Sequence, residues 1–352
     1  MKTAFISKLT PLFNAITLSS DLYVPVKTGE HFSYTRYDAG GRLVFEFNNI
    51  RACTPVKEFL VPLRELAATL QGPVVKPDEM KPFAVFGLKH CDLRSIEALD
   101  KVFLEKESED PFYAARRERM FVISADCTDP GESCFCNVLG GRPYSLRDFD
   151  LNVSRVKDGF IIEVGSQKGR DLIAGHADLF ALVPDSLLAE RDSNRANTQR
   201  QLERNNVELK LNASAKEILE KGHDSNIFDR QAGTCVECQA CTRVCPTCHC
   251  FYLFDARRQD YFAKMKMWDS CMRMAYAEVA GGANPRRILG DRLRHRLMHK
   301  FAYFVDRYGL EMCVGCGRCV DAEAGGVDIR EILKELNREF SGEGNKVAKA
   351  SK

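Results

Sequence analysis

The run Cys235-Val-Glu-Cys238-Gln-Ala-Cys241-Thr-Arg-Val-Cys245-Pro246 constrains this chain more than any other stretch. Its C-x2-C-x2-C-x3-C-P spacing is the bacterial ferredoxin pattern for a cubane iron–sulfur cluster. Three thiolates, each two residues from the next, let one tight loop wrap a cubane and aim backbone N–H groups at its sulfides. The fourth cysteine lies beyond a turn, and Pro246 directs it away. In two-cluster ferredoxins that fourth cysteine serves the other cluster. Structural zinc uses two separated C-x2-C pairs, a poor fit to this run.

Cys313-Val-Gly-Cys316-Gly-Arg-Cys319 repeats the first three positions. The fourth position holds Glu323, followed by Ala324 instead of proline. By the crossed logic, Cys245 completes the cluster on Cys313, Cys316 and Cys319. The cluster on Cys235, Cys238 and Cys241 then lacks its usual fourth thiolate. Glu323 is one candidate replacement, a harder oxygen ligand. Cys248, Cys250 and Cys271 are the others. A three-iron cluster, an empty site, or a solvated Glu323 with no ligand role are the remaining outcomes.

The chain carries 15 cysteines in 352 residues. The first residues, Met1 to Lys8, lack the apolar core and cleavage site of a signal peptide. A cytoplasmic location is therefore expected, where disulfides are rare and thiolate metal sites are the alternative. A second dense group is Cys127-Thr-Asp-Pro-Gly-Glu-Ser-Cys134-Phe-Cys136. It follows an expected strand at 119–124, while Cys91 follows another at 83–88. If those strands are neighbours, Cys91, Cys127, Cys134 and Cys136 meet and can hold a third cubane. Zinc, or unliganded buried thiols, are the competing readings. Cys53 has no companions and reads as structural.

The fold class is α+β. An N-terminal α/β domain over residues 1–220 precedes a mainly helical, two-cluster ferredoxin-like domain over 221–340. The polar tail at 341–352 reads as disordered. Strands are expected at 42–47, where apolar residues alternate, and at 159–165. Helices are expected at 92–103, 170–182, 184–191 and 199–221, the last as a bridge between domains. In the second domain, 252–280 reads as mainly helical, with further helices at 286–308 and 328–340.

The hydrophobic fraction of 45% can build an ordinary core. A net charge of +2 gives no global field for nucleic acid or a membrane. Apolar runs such as 83–88 are too short to span a bilayer. Residues 285–300 hold six Lys or Arg against one acid. That run is a solvated helix face, a counter-charge to thiolate clusters, or a docking face for an acidic partner. No dinucleotide or P-loop fingerprint occurs, so no flavin or nicotinamide site is expected on this chain.

Taken together, these pieces resemble the β subunits of cytoplasmic sulfhydrogenases (hydrogenase/sulfur reductase), a group related to one of the subunits of anaerobic sulfite reductase. The resemblance runs through Leu22 to Lys27, Phe86 to Asp92, Asp110 to Glu118, Cys134-Phe-Cys136, Cys245 to Cys250, Asp269-Ser-Cys271, Asp291 to Arg296 and Cys313 to Cys319. It implies an electron-transfer subunit with two [4Fe–4S] clusters and strengthens the third. It implies relay of single electrons between a flavin/NAD(P)-binding or ferredoxin-linked partner and a catalytic redox subunit of hydrogenase, sulfite reductase or heterodisulfide-reductase type. Glu323 and Ala324 depart from the family's cysteine and proline. The rival readings are a reductase of sulfur or disulfide substrates acting near Glu323, and a zinc-bearing interaction module.

Overall fold

The computed structural model describes residues 2–41, 45–72, 76 and 80–340. Ten strands occur among them: β1 (Thr3–Ile6), β2 (Asp21–Thr28), β3 (His31–Arg36), β4 (Arg64–Leu70), β5 (Phe83–Leu88), β6 (Met120–Ala125), β7 (Leu151–Val156), β8 (Gly159–Val164), β9 (Phe251–Arg257) and β10 (Phe262–Trp268). The chain divides into two compact units. One comprises Met1–Val61 and Lys76–Asn205; the other comprises Pro62–Val75 and Asn206–Lys352.

The first unit is built on a seven-stranded sheet of order β1-β8-β7-β6-β5-β2-β3. Its middle strands, β2, β5, β6 and β7, run parallel, and antiparallel partners close both ends. Central parallel strands are covered on both faces and read as unbroken apolar runs. That is why the runs at 83–88 and 119–124 read as strands in the sequence. Leu22, Val24, Ala84, Phe86, Ile123, Leu151 and Ile162 fill the core under the helix Thr10–Thr17. Phe13 of that helix meets Phe86 edge-on at 4.9 Å.

A long helix, Asp185–Asn205, is tied to this sheet by one buried arginine. Arg195 Nε donates to Asp126 Oδ2 at 2.7 Å, and its Nη2 reaches Asp126, Ser154 and Glu163. Ser154 and Asn152 also donate to Asp126. The buried cation is thus neutralised by carboxylates and its neighbours are satisfied.

The second unit contains the three-stranded sheet β4-β10-β9 and the helices Ala215–Lys221, Ile227–Ala232, Leu289–Met298, Phe304–Tyr308 and Ile329–Phe340. Here the structure corrects the helical reading of 252–280. That stretch is an antiparallel hairpin with Phe251 opposite Trp268 and Arg257 opposite Phe262. The reason is non-local. β10 pairs on its other side with β4, a segment from far upstream, and local periodicity does not reveal that partner. The expected helix at 199–221 is two helices, Asp185–Asn205 and Ala215–Lys221, and the division between units falls at Asn205 instead of 220. Of the strand expected at 42–47, positions 42–44 lie outside the described residues, as does the tail at 341–352, and 45–47 form no strand.

Candidate iron–sulfur centres

The two cysteine runs of the second unit share one backbone. Gly315 and Gly317 take left-handed φ of 65° and 73° within Cys313 to Cys319. Glu237 and Gln239 occupy the matching places between Cys235 and Cys241, with φ of 54° and 64°. Glycine adopts this conformation freely, whereas a residue with a side chain is strained by roughly 1–2 kcal/mol. Such strain persists where surrounding structure demands it, often at functional sites. Alternation of right- and left-handed residues turns successive N–H groups into one anion-binding concavity. A short helix follows each loop, Ala240–Arg243 and Arg318–Asp321, and the two helices pack together.

Electrostatic neighbours divide the thiols into two groups. Cys235 is flanked by Cys238, Cys241 and Glu323. Cys313 and Cys319 are flanked by Cys245, and Cys319 also by Cys316. The first group is the more open: Cys238 is exposed and Cys235 half-buried, while Cys245, Cys313, Cys316 and Cys319 are buried. Burial pushes the Cys313 thiol up and that of Cys319 to about 11, so both keep their protons until a metal displaces them.

The loop after the second run is brought against the first by Gly325. A Cβ there would lie 2.2 Å from the Thr234 carbonyl oxygen. Glu323 stands at the start of this loop, and its Oε2 accepts the Val327 N–H at 2.7 Å.

Two buried cations face the thiols from the helical run 289–308. Arg296 and Lys300 lie one turn apart on one face, only 3% and 2% exposed. Lys300 Nζ is 3.2 Å from Cys245 Sγ and 3.2 Å from Thr247 Oγ1, and Cys248 and Cys313 are close by. Arg296 is surrounded by Cys241, Cys319, Cys248 and Cys245, and its Nη2 donates to the Cys241 carbonyl. Its Nε is buried with no acceptor. Lys300 sits in a π-helical turn, His299–Tyr303, a feature that recurs at functional sites. A buried cation without a carboxylate is costly, so the negative charge on this face has to come from the cysteine sulfurs, as thiolates or as cluster ligands. Thiolate-ligated cubanes carry that charge and offer sulfur acceptors to Arg296 Nε. The residues therefore fit the group. Among the described residues, no three or more His, Cys, Asp or Glu side chains are arranged to hold a single metal ion.

Cys248, Cys250 and Cys271 form a third collection. The hairpin brings two of them together: Cys250 precedes β9, Cys271 follows β10, and Asp269 N–H donates to the Cys250 carbonyl at 2.8 Å. The Cys271 thiol and the Tyr276 hydroxyl hydrogen-bond to the Cys250 sulfur, holding that thiol down at about 6. The same contact pushes Cys271 up.

In the first unit, β5 and β6 are adjacent and parallel. Cys91, in the first turn of the helix His90–Phe103, and Cys127 therefore leave the same edge of the sheet. Cys134 neighbours Cys127. Cys136 opens a short 3₁₀ turn, Cys136–Leu139, and Arg94 of the Cys91 helix donates to the Leu139 carbonyl at 2.8 Å. A buried lysine, Lys89, lies against Cys127 and Cys91 and donates to the carbonyls of Asn48 and Asp126. Burial pulls its pKa down to about 8 and pushes the Cys127 thiol up to about 12. Sequence reasoning passed over Lys89, and it passed over the left-handed Glu237 and Gln239. It treated 285–300 as one basic run; the spacing of Arg296 and Lys300 was the available signal.

Residues 234–327 match the 4Fe–4S dicluster domain. This defines an iron–sulfur electron-transfer protein with two [4Fe–4S] clusters in that segment. Sulfhydrogenase 2 subunit beta of Pyrococcus furiosus is 31% identical over 330 residues, covering 92% of this chain and 94% of the relative. The chain belongs to the sulfhydrogenase β-subunit family and is an oxidoreductase subunit. Among the described residues, no helix is long and apolar enough to cross a membrane.

Proposed function

We propose that this chain is the electron relay of a multisubunit, cytoplasmic oxidoreductase. It would stand between a flavin/NAD(P)-binding or ferredoxin-linked subunit and a catalytic redox subunit of the hydrogenase or sulfur-reducing kind. The observation that carries this reading is the pair of buried cations, Arg296 and Lys300, turned toward thiols with no carboxylate beside them among the described residues. Bound in these sites, a cubane supplies one-electron transfer, with a potential set by ligands, hydrogen bonds and burial.

The chain's residues differentiate the two sites. Cys245, Cys313, Cys316 and Cys319 hold one cluster, and Lys300 and Arg296 offset its charge. Added negative charge is stabilised there, which favours the reduced state. Cys235, Cys238 and Cys241 hold the other, with the Glu323 carboxylate as its fourth ligand. An oxygen ligand is harder than a thiolate, and the exposed Cys238 leaves this site nearer water. We assign a third cubane to Cys91, Cys127, Cys134 and Cys136, with Lys89 as its buried counter-charge.

Anaerobic purification from the native source tests this reading. We expect a brown protein co-purifying with redox partners, with about twelve irons per chain for three cubanes. A lone, iron-free monomer would refute it.

A further inference from the structure

With Glu323 as fourth ligand at the first site and Cys245 at the second, three cysteines of the second unit have no cluster to serve. Cys248 is buried beside Lys300 and Arg296. Cys250 and Cys271 are different, because they hydrogen-bond to each other. Their meeting is fixed by the hairpin register, which runs unbroken from Arg257–Phe262 to Phe251–Trp268 and continues through the Asp269–Cys250 backbone bond. Asp269 is held in turn by Arg273, whose Nη2 donates to it at 2.6 Å. Tyr276, on the turn Met274–Ala277, also hydrogen-bonds to the Cys250 sulfur. Cys250 is the more accessible thiol and Cys271 the buried one.

We infer that Cys250 and Cys271 form a redox-active dithiol that reduces the S–S bond of a small disulfide or polysulfide. This rests on the cluster assignment above, which leaves the two thiols unligated. The Cys250 thiolate attacks one sulfur of the substrate, forming a mixed disulfide and releasing the other half as a thiolate. Tyr276 and Cys271 are placed to hold negative charge on Cys250 before the attack. The Cys271 thiol then gives up its proton and attacks the Cys250 sulfur. The second half of the substrate leaves with that proton, and a Cys250–Cys271 disulfide remains. Two electrons from a low-potential one-electron donor, together with two protons, restore the dithiol. The net change is one S–S bond cleaved to two thiols for two electrons and two protons. A pair that stores two electrons next to one-electron carriers converts single-electron supply into two-electron sulfur chemistry.

The probe is oxidised glutathione, added to the anaerobically purified full chain, followed by alkylation and peptide mapping. We expect a Cys250–Cys271 disulfide that reductant reverses, with iron and acid-labile sulfide unchanged. Cys271→Ser should abolish the crosslink and trap glutathione on Cys250, again without iron loss; Cys271→Ala serves if the serine variant does not fold. Loss of iron in these variants, or a chain in which Cys250 gains neither Cys271 nor glutathione, overturns the proposal. If the wild-type chain holds no iron but still forms the disulfide, the relay reading fails and the dithiol stands.

Discussion

Arg195 and Arg296 are both buried arginines, and the two units offset the cost of that burial in opposite ways. Arg195 is ringed by Asp126, Glu163 and Ser154, so its charge is cancelled by protein alone. Arg296 and its neighbour Lys300 face Cys241, Cys245, Cys248, Cys313 and Cys319, with one nitrogen of Arg296 lacking any acceptor. The first arrangement is complete and structural. The second relies on cysteine sulfur for its opposite charge, so we expect folding of the second unit to be coupled to iron as metal sites are to their metals.

That contrast fails if iron removal leaves both units equally folded. We expect chelation under reducing conditions to abolish slow amide exchange over 227–340, while β6 and β7 keep theirs. The free energy linked to a structural metal site is on the order of 10 kcal/mol, the largest effect expected here. Next comes Arg195→Ala. It strands Asp126 in the interior and should cost about 3–5 kcal/mol, read by denaturant unfolding of the sheet, with iron content unchanged. A loss under about 1 kcal/mol, the level of an exposed ion pair, would show that the carboxylates are not dependent on it.

Smaller effects sharpen the comparison within the second unit. Lys300→Met removes a cation 3.2 Å from Cys245. The midpoint potential of that cluster should fall by roughly 60 mV, the one-electron equivalent of a tenfold change, while Lys300→Arg should nearly preserve it. No shift in redox titration would mean the lysine is not a counter-charge. Least of all, Glu323→Ala forfeits the Val327 N–H bond, worth about 1 kcal/mol. It should also alter the EPR signal of the Cys235 cluster alone; an unchanged spectrum would remove Glu323 from the ligand set.

Much of this is legible in the sequence. The strands Phe83–Leu88 and Met120–Ala125 were expected at 83–88 and 119–124 because strands covered on both faces read as apolar runs. The cysteine spacing carried the dicluster reading because short loops dictate ligand spacing locally. The hairpin at Phe251–Trp268 was hidden, since β10 depends on β4, far off in sequence. Glu237 and Gln239 were hidden for another reason: nothing in a side chain that usually avoids the left-handed region signals that it will occupy it. Lys89 was missed because its role comes from the adjacency of β5 and β6, which gathers Cys91 and Cys127 around it.

The crossed cluster assignment is tested most directly by EPR of the dithionite-reduced full chain carrying single ligand substitutions. We expect Cys245→Ser to alter or abolish the same cluster signal as Cys316→Ser, leaving intact the signal that Cys238→Ser removes. If Cys245→Ser instead removes the Cys238 signal, each run holds its own cluster, and the assignment of Glu323 falls with it.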